Sequence, residues 1–211
     1  MKRIDSVKFW MAHAFRLLLI FAIGQSIYFG EWNILFYSIL TLILISLPGI
    51  IEKTSKIDYP SEFELLIMAF IFASLYLGEI NSFYTRFWWW DGLLHTISGL
   101  IIALIGFTLV WILNNEEKVR IKMGLGFIAI FAFCFALSAG AIWEIFEFGL
   151  DQIFGMHMQE TGIVDTMWDL IVDSIGALIV SLIGYFYLRG GFRFIENWEK
   201  NFINLNKHWF K

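Results

Sequence analysis

Cysteine, proline and charge are all scarce in this chain of 211 residues. A single cysteine, Cys134, excludes a disulfide within the chain and a zinc site built from several cysteines. Charged residues make up only 16% of the chain, against about 25% in an ordinary soluble domain. Hydrophobic residues reach 59% and the mean hydropathy is +0.70. This composition excludes a soluble globular domain and indicates an integral membrane protein.

The sequence has little material for linkers, disordered tails or a second domain beside its hydrophobic segments. Two prolines, and no Ser-rich, Gln-rich or charge-block segment, indicate one domain without a disordered tail. A net charge of −4 argues against a nucleic-acid partner. We therefore expect membrane lipids to be the main surroundings of the chain, and its oligomeric state stays open.

Six hydrophobic segments are long enough to cross a bilayer, which takes roughly 17–25 apolar residues. An all-α bundle of six transmembrane helices over residues 1–190 is the predicted fold class. The segments are 10–29, 33–51, 63–81, 92–113, 123–150 and 165–188.

The lysines and arginines predict the orientation of the bundle, because short cytoplasmic loops carry the excess of these residues. Of the 15 basic residues, only Arg16 and Arg86 do not fall at the chain ends or in the loops after spans two and four. Both termini are therefore expected in the cytoplasm. A cleaved signal peptide is the alternative for the start of the chain, but Arg16 interrupts its short apolar stretch and apolar residues resume at Ile27.

The last residues, 191–211, have an amphipathic pattern rather than a spanning one. Apolar side chains recur at steps of three and four, with charged residues between them. We expect a helix in the inner headgroup layer that anchors the C-terminus, with partner binding as the alternative. The apolar positions are Ile195, Trp198, Phe202, Leu205 and Trp209.

Acidic residues concentrate at the predicted outer ends of spans four, five and six. Inside a hydrophobic span an ionisable residue is costly and indicates a functional site. Span four has an acid, an imidazole and a hydroxyl at i, i+4 and i+7, which share one helix face. Span five has two acids at i, i+3, and span six has three at i, i+4, i+8. The residues are Asp91, His95 and Ser98; Glu144 and Glu147; and Asp165, Asp169 and Asp173.

If these three helices touch, they form one acidic pocket that contains one histidine. Carboxylates crowded into a pocket of low dielectric constant must bind protons or a cation. Oxygen ligands with one nitrogen suit Zn²⁺, Mn²⁺, Fe²⁺ or Mg²⁺, so we predict a divalent metal ion of unknown identity. The predicted ligands are Asp91, His95, Glu147 and Asp169.

Structural roles compete with these assignments. Asp91 and Asp165 lie where aspartate often caps the N-terminus of a helix. Glu144 and Glu147 could belong to a polar network without any metal. Asp169 and Asp173 lie past the first turn of span six, so they cannot be caps.

The glycines of these spans are expected to allow close helix contact; they are Gly99, Gly106, Gly140, Gly176 and Gly184.

The motifs resemble those of the YjdF-like membrane proteins and, more distantly, those of VanZ-like proteins. They are Trp90-Asp91-x-x-x-His95-x-x-Ser98-Gly99, Trp143-Glu144-x-x-Glu147 and Asp165-Thr166-x-x-Asp169-x-x-x-Asp173-x-x-Gly176-Ala177. The second motif departs from the VanZ-like pattern, in which Glu is followed by Gln. The resemblance implies a cell-envelope role in a prokaryotic plasma membrane, with a polar site that faces outward.

Three functions are compatible with such a site. The first is a metal-dependent hydrolase of a lipid-linked or headgroup substrate, with Glu144 or Asp173 as general base. The second is a non-catalytic metal- or lipid-binding scaffold. The third is a cation or proton transporter, although no carboxylate follows Asp173 in span six.

Overall fold

The computed structural model describes residues 2–55, 58, 60–115, 122–155, 158–159, 162–190 and 204–205. These residues form helices and no strands. The helices are α1 (Lys2–Phe29), α2 (Trp32–Leu44), α3 (Leu47–Ser55), α4 (Ser61–Ile71), a π-helix (Phe72–Ile80), α5 (Phe83–Arg86), α6 (Trp90–Asn115), α7 (Leu125–Phe154) and α8 (Ile163–Leu188).

Six helical segments are long and apolar enough to cross a membrane, which confirms the predicted fold class. They are Asp5–Phe29, Trp32–Thr54, Ser61–Ile80, Trp90–Trp111, Leu125–Ile153 and Ile163–Leu188. The predicted cytoplasmic orientation of the termini stays a prediction. The predicted amphipathic helix at 191–211 lies outside the described residues, apart from Asn204 and Leu205.

Two of the spans are not single α-helices, which the hydrophobic pattern did not indicate. Span two is interrupted between Leu44 and Leu47. Pro48 follows this break, and because proline has no N–H it cannot continue the hydrogen bonding of the helix there. Span three changes from α-helix to π-helix at Phe72.

The helices fall into two compact units, with the boundary between Trp90 and Asp91. In the first unit, the core is built on Leu19, Ile45 and Met68, and Phe72 stacks between Phe15 and Tyr76. The buried carboxylate of Glu64 in this unit is paired with the ammonium of Lys8 at 2.5 Å.

The second unit packs α6, α7 and α8 closely because small residues line their contacts. One alanine from each helix, Ala103, Ala136 and Ala177, forms a buried cluster. At all five glycines expected to allow close contact, an added Cβ would overlap a neighbouring residue, so this prediction is confirmed. Gly78 in the first unit is a further case, against the ring of Tyr84, that the sequence did not suggest.

Candidate functional site

The start of α6 supplies an aspartate and a histidine on one face, as their spacing predicted. His95 is buried, with 8% of its surface exposed. Its Nε2 atom lies 3.8 Å from Oδ1 of Asp91, whose side chain is 37% exposed. Asp91 is therefore the most accessible carboxylate in this group, and His95 lies behind it.

The start of α8 brings two further carboxylates to the same histidine. Asp169 and Asp173 are 4% and 2% exposed. The ligand atoms of Asp91, His95 and Asp169 all lie within 4.8 Å of one another. Asp173 lies on the other side of the imidazole ring, with Oδ2 3.4 Å from Nδ1 of His95. Both acids of α8 therefore lie near this histidine, with Asp173 on its Nδ1 side.

The end of α7 adds Glu144, which is 4% exposed. Its Oε1 atom is 3.9 Å from Nε2 of His95. Both carboxylate oxygens are buried, and neither has a hydrogen-bond partner within 3.5 Å. Burying a carboxylate without a hydrogen-bond partner costs free energy. Packing alone therefore does not explain a glutamate at this position.

Glu147 lies one turn beyond Glu144 and has a different environment. Its Oε1 accepts a hydrogen bond of 2.9 Å from the indole N–H of Trp143. Glu147 is half-buried, and neither Glu147 nor Glu144 belongs to the Asp91, His95 and Asp169 group. Of the two glutamates on this helix, Glu144 is therefore the one beside Nε2 of His95.

Neither proposed cap occupies a cap position. Asp91 is inside the first turn of α6, which begins at Trp90. Asp165 is in the first turn of α8, whose N-cap is Gly162 without a side-chain hydrogen bond. Both acids still lie where the helix dipole favours negative charge. The capping interpretation is wrong because α8 begins two residues before Asp165.

A short connection fastens the ends of α7 and α8 next to this group. The Asp151 carboxylate accepts the backbone N–H groups of Met158 and Gln159, at 2.8 and 3.0 Å. The side-chain amide of Gln159 donates to Oγ1 of Thr166, at 2.6 Å. Gly155 and Gly162 have positive φ values of 65° and 68°, which glycine adopts without strain.

This role of Asp151 was not identified from the sequence. The available signal was an acid near the end of a helix, four residues before a glycine. An aspartate in such a position often bonds the backbone of the following turn.

Within the described part of the second unit, basic side chains lie only at the opposite end of the helices. Lys122 precedes α7, and Arg189 follows α8. Among the described residues of this unit, His95 is therefore the only nearby group that can offset the charge of Asp91, Glu144 and Asp169. Such a group can bind protons or a cation, and its one nitrogen and several oxygens suit a divalent metal ion.

Comparison with known proteins places the chain in a family. The family model described as "Predicted membrane protein (DUF2238)" matches residues 8–190. The chain belongs to this family. A protein of Thermotoga maritima with the name "Uncharacterized protein" is 27% identical over 138 residues, which is 65% of this chain and 69% of that protein. No solved structure matches the chain.

Proposed function

We propose that α6, α7 and α8 form a binding site for one divalent metal ion. Asp91 and Asp169 would each supply a carboxylate oxygen, His95 would supply Nε2, and Glu144 would supply the fourth ligand. The observation that carries the proposal is the Glu144 carboxylate, buried without a partner and directed at His95. A cation between these groups would satisfy all of them at once.

The distances support one small ion. Because bonds from zinc to nitrogen or oxygen are about 2.0–2.2 Å long, ligand atoms around one ion are roughly 3–4 Å apart. The distances of 3.8 and 3.9 Å from Nε2 of His95 to Asp91 and Glu144 are at the upper end of that interval. The ligand atoms of Asp91, His95 and Asp169 are within 4.8 Å of one another, which is wider than the interval. A small inward movement of the side chains would close the group around an ion.

This arrangement revises the expected ligand set in one place. Sequence reasoning named Glu147 as a ligand and Glu144 as a general base. The contacts favour the reverse, since Glu144 lies beside His95 and Glu147 bonds to Trp143. Glu147 and Asp165 are then outside the proposed ligand set.

The enzymatic form of the proposal is hydrolysis of a lipid-linked or headgroup substrate. A bound divalent ion would supply Lewis acidity and activate water, and the partly exposed side of the site at Asp91 would admit it. Trp143 and Trp168, beside Glu144 and Asp169, are exposed and suit the interface of a bilayer. On the basis of the YjdF-like and VanZ-like resemblance, the proposal also includes a location in a prokaryotic plasma membrane and a site that faces outward.

Elemental analysis of the detergent-purified protein tests the metal site. We expect about one equivalent of metal in the wild type and a loss of at least about tenfold in His95→Ala and Asp169→Asn. Glu144→Gln should lower the metal content, whereas Glu147→Gln, one turn away on the same helix, should keep it. Glu31→Gln, an exposed acid of the first unit, controls for nonspecific binding to carboxylates.

A wild-type protein that stays free of metal after loading with Mn²⁺, Zn²⁺, Mg²⁺ and Ca²⁺ would overturn this proposal. If metal is bound, purified protein is then assayed with lipid-linked phosphates and esters. Hydrolysis that survives both His95→Ala and Asp169→Asn would contradict the enzymatic form. A metal that stabilises the bundle without turnover would favour the non-catalytic scaffold.

Transport is a second candidate, favoured by one buried hydroxyl. Ser181 follows Asp173 by about two turns of α8, is 4% exposed, and its Oγ has no hydrogen-bond partner. A polar group in this position would continue a path from the acidic group along the helix. Charge movement in proteoliposomes that disappears in both Asp173→Asn and Ser181→Ala would support transport, and its absence from wild-type vesicles would exclude it.

A further inference from the structure

Asp173 lies in a buried niche on the Nδ1 side of His95, whereas Asp91 lies on the more exposed Nε2 side. Its Oδ2 atom lies 3.4 Å from Nδ1 of His95. Its Oδ1 atom lies 2.9 Å from the hydroxyl of Ser98, which is also 2.8 Å from the backbone carbonyl of His95. Only 2% of Asp173 is exposed. Both oxygens of this carboxylate therefore face α6.

Glycines on the two neighbouring helices make this niche. A Cβ at Gly140 on α7 would overlap Oδ2 of Asp173, and a Cβ at Gly99 on α6 would overlap the backbone carbonyl of Asp173. A Cβ at Gly176, one turn along α8, would overlap the carbonyl of Thr96 on α6. The carboxylate is held in place by the close approach of three helices.

The two ring nitrogens of His95 consequently have different neighbours. Nδ1 faces Asp173, while Nε2 faces Asp91 and Glu144 at 3.8 and 3.9 Å. In neutral imidazole one nitrogen carries the hydrogen and the other carries a lone pair. A carboxylate opposite Nδ1 favours the hydrogen at Nδ1, which leaves the lone pair of Nε2 directed toward Asp91 and Glu144.

We propose that Asp173 is a positioning residue that fixes the tautomer and ring orientation of His95, so that Nε2 is the metal-binding atom. This inference rests on the metal site proposed above, and it removes Asp173 from the candidates for general base. Histidines that bind metals commonly donate their second N–H to a carboxylate, and losing that carboxylate costs about 10–100-fold in metal affinity. Ser98 supports the same carboxylate from α6.

Metal titration with Co²⁺ tests the effect on affinity. We expect Asp173→Asn to raise the Kd for Co²⁺ by about 10–100-fold, although every proposed ligand is intact. Ser98→Ala should raise it by a smaller factor. Ser174→Ala is the matched control, because Ser174 also bonds a helix carbonyl, that of Leu170, but has no described contact with His95.

Gly140→Ala provides a second variant in which no polar group is removed. The added methyl group would press on Oδ2 of Asp173, so we expect weaker Co²⁺ binding in a protein whose ligands and hydrogen-bonding side chains are all present. Gly149→Ala on the same helix, where a Cβ meets nothing within 4 Å, should bind Co²⁺ as the wild type does. This pair keeps the test informative if Asp173→Asn does not fold.

Nitrogen NMR of labelled histidine reads the tautomer without any metal. The chain has only 4 histidines, so His95 can be assigned with His95→Gln. At a pH where the imidazole is neutral, we expect the hydrogen at Nδ1 in the wild type and a shift toward Nε2 in Asp173→Asn. A loss of stability alone would not change this signature.

The outcomes separate the two proposals. A wild type that binds no Co²⁺ overturns the metal site, whereas the tautomer can still be measured. A wild type that binds Co²⁺ while Asp173→Asn and Gly140→Ala bind it with unchanged Kd overturns the positioning role. A hydrogen at Nε2 in the metal-free wild type also overturns it.

Discussion

Each of the two units has a buried glutamate, and the surroundings of these two residues differ. Glu64 in the first unit is 8% exposed and has an ammonium partner, Lys8, at 2.5 Å. Glu144 in the second unit is 4% exposed, and its oxygens have no hydrogen-bond partner. A buried charge with a partner is a structural feature, whereas one without a partner is a cost that folding alone does not explain. The comparison teaches that a buried acid with a cationic hydrogen-bond partner is explained by that partner, whereas a buried acid whose oxygens accept no hydrogen bond points to a site.

The helices around the two glutamates differ in the same way. The first unit fills its interior with large side chains, such as the stacked rings of Phe15, Phe72 and Tyr76. The second unit also has a cluster of large residues, which includes Phe107 and Ile128. Beside Asp173, however, its helices have glycines, which bring the backbones together and leave room for polar side chains. Four experiments would break or sharpen this contrast.

The largest effect is expected at the contact between α6 and α8. Gly176→Ala would place a methyl group on the backbone of Thr96, which must move because it is not a flexible side chain. Overpacking of this kind costs about 3 kcal/mol, so thermal unfolding in detergent micelles should occur at a clearly lower temperature. Gly92→Ala on α6, with nothing within 4 Å of its Cβ, should unfold like the wild type.

Removing the cation of the first unit should have the next largest effect. Lys8→Met would leave Glu64 buried without its partner, and we expect a loss of about 2 kcal/mol, since the partial exposure of both side chains (26% and 11%) reduces the penalty of a fully buried pair. Chemical denaturation in micelles measures this loss. Unchanged stability would mean that Glu64 has no need of Lys8, and the contrast with Glu144 would lose its basis.

Neutralising each glutamate should change stability in opposite directions. In metal-free protein, Glu144→Gln should raise the free energy of unfolding by about 1 kcal/mol, because a neutral amide costs less to bury than a charge and can donate to the nearby carboxylates. Glu64→Gln should lower it, because Lys8 loses its partner. Thermal unfolding after treatment with a chelator compares the two; the same sign for both would contradict the comparison.

The smallest effect is expected in the connection between α7 and α8. Thr166→Val removes the hydroxyl that accepts the amide of Gln159, a hydrogen bond worth about 1 kcal/mol. Hydrogen exchange of the backbone N–H groups of Met158 and Gln159 should become faster while the unfolding temperature hardly changes. Equal exchange rates in wild type and variant would show that Asp151 alone holds this segment.

Much of the site could be predicted from the sequence because its residues are local on their helices. The spacing of Asp91, His95 and Ser98 places them on one face in any α-helix, and the same holds for Asp169 and Asp173. Hydropathy likewise predicted all six spans, since a bilayer demands long apolar helices. The break before Pro48 and the π-helix at Phe72 were not indicated, because hydrophobicity over a whole span is unaffected by a local change of hydrogen bonding.

Roles within the site could not be assigned in this way. Glu144 and Glu147 are separated by about one turn of α7, and both belong to the same motif in the sequence. Whether a glutamate meets His95 or the indole of Trp143 depends on how α7 is rotated against α6 and α8. That rotation follows from contacts at Gly99, Gly140 and Gly176, which join residues far apart in the chain.

The sequence by itself determined that the chain has six helices able to cross a membrane, that acids and small residues recur on three of them, and that one of the three also has a histidine. Periodicity and hydropathy are properties of each helix alone, so they follow from its sequence without knowledge of the neighbouring helices. Only the tertiary structure decided that these helices meet, that Glu144 lies beside His95 without a hydrogen-bond partner, and that Asp173 lies on the Nδ1 side of His95 while Asp91 lies on the Nε2 side. Those relations depend on distances between helices, and packing of side chains across the bundle sets them.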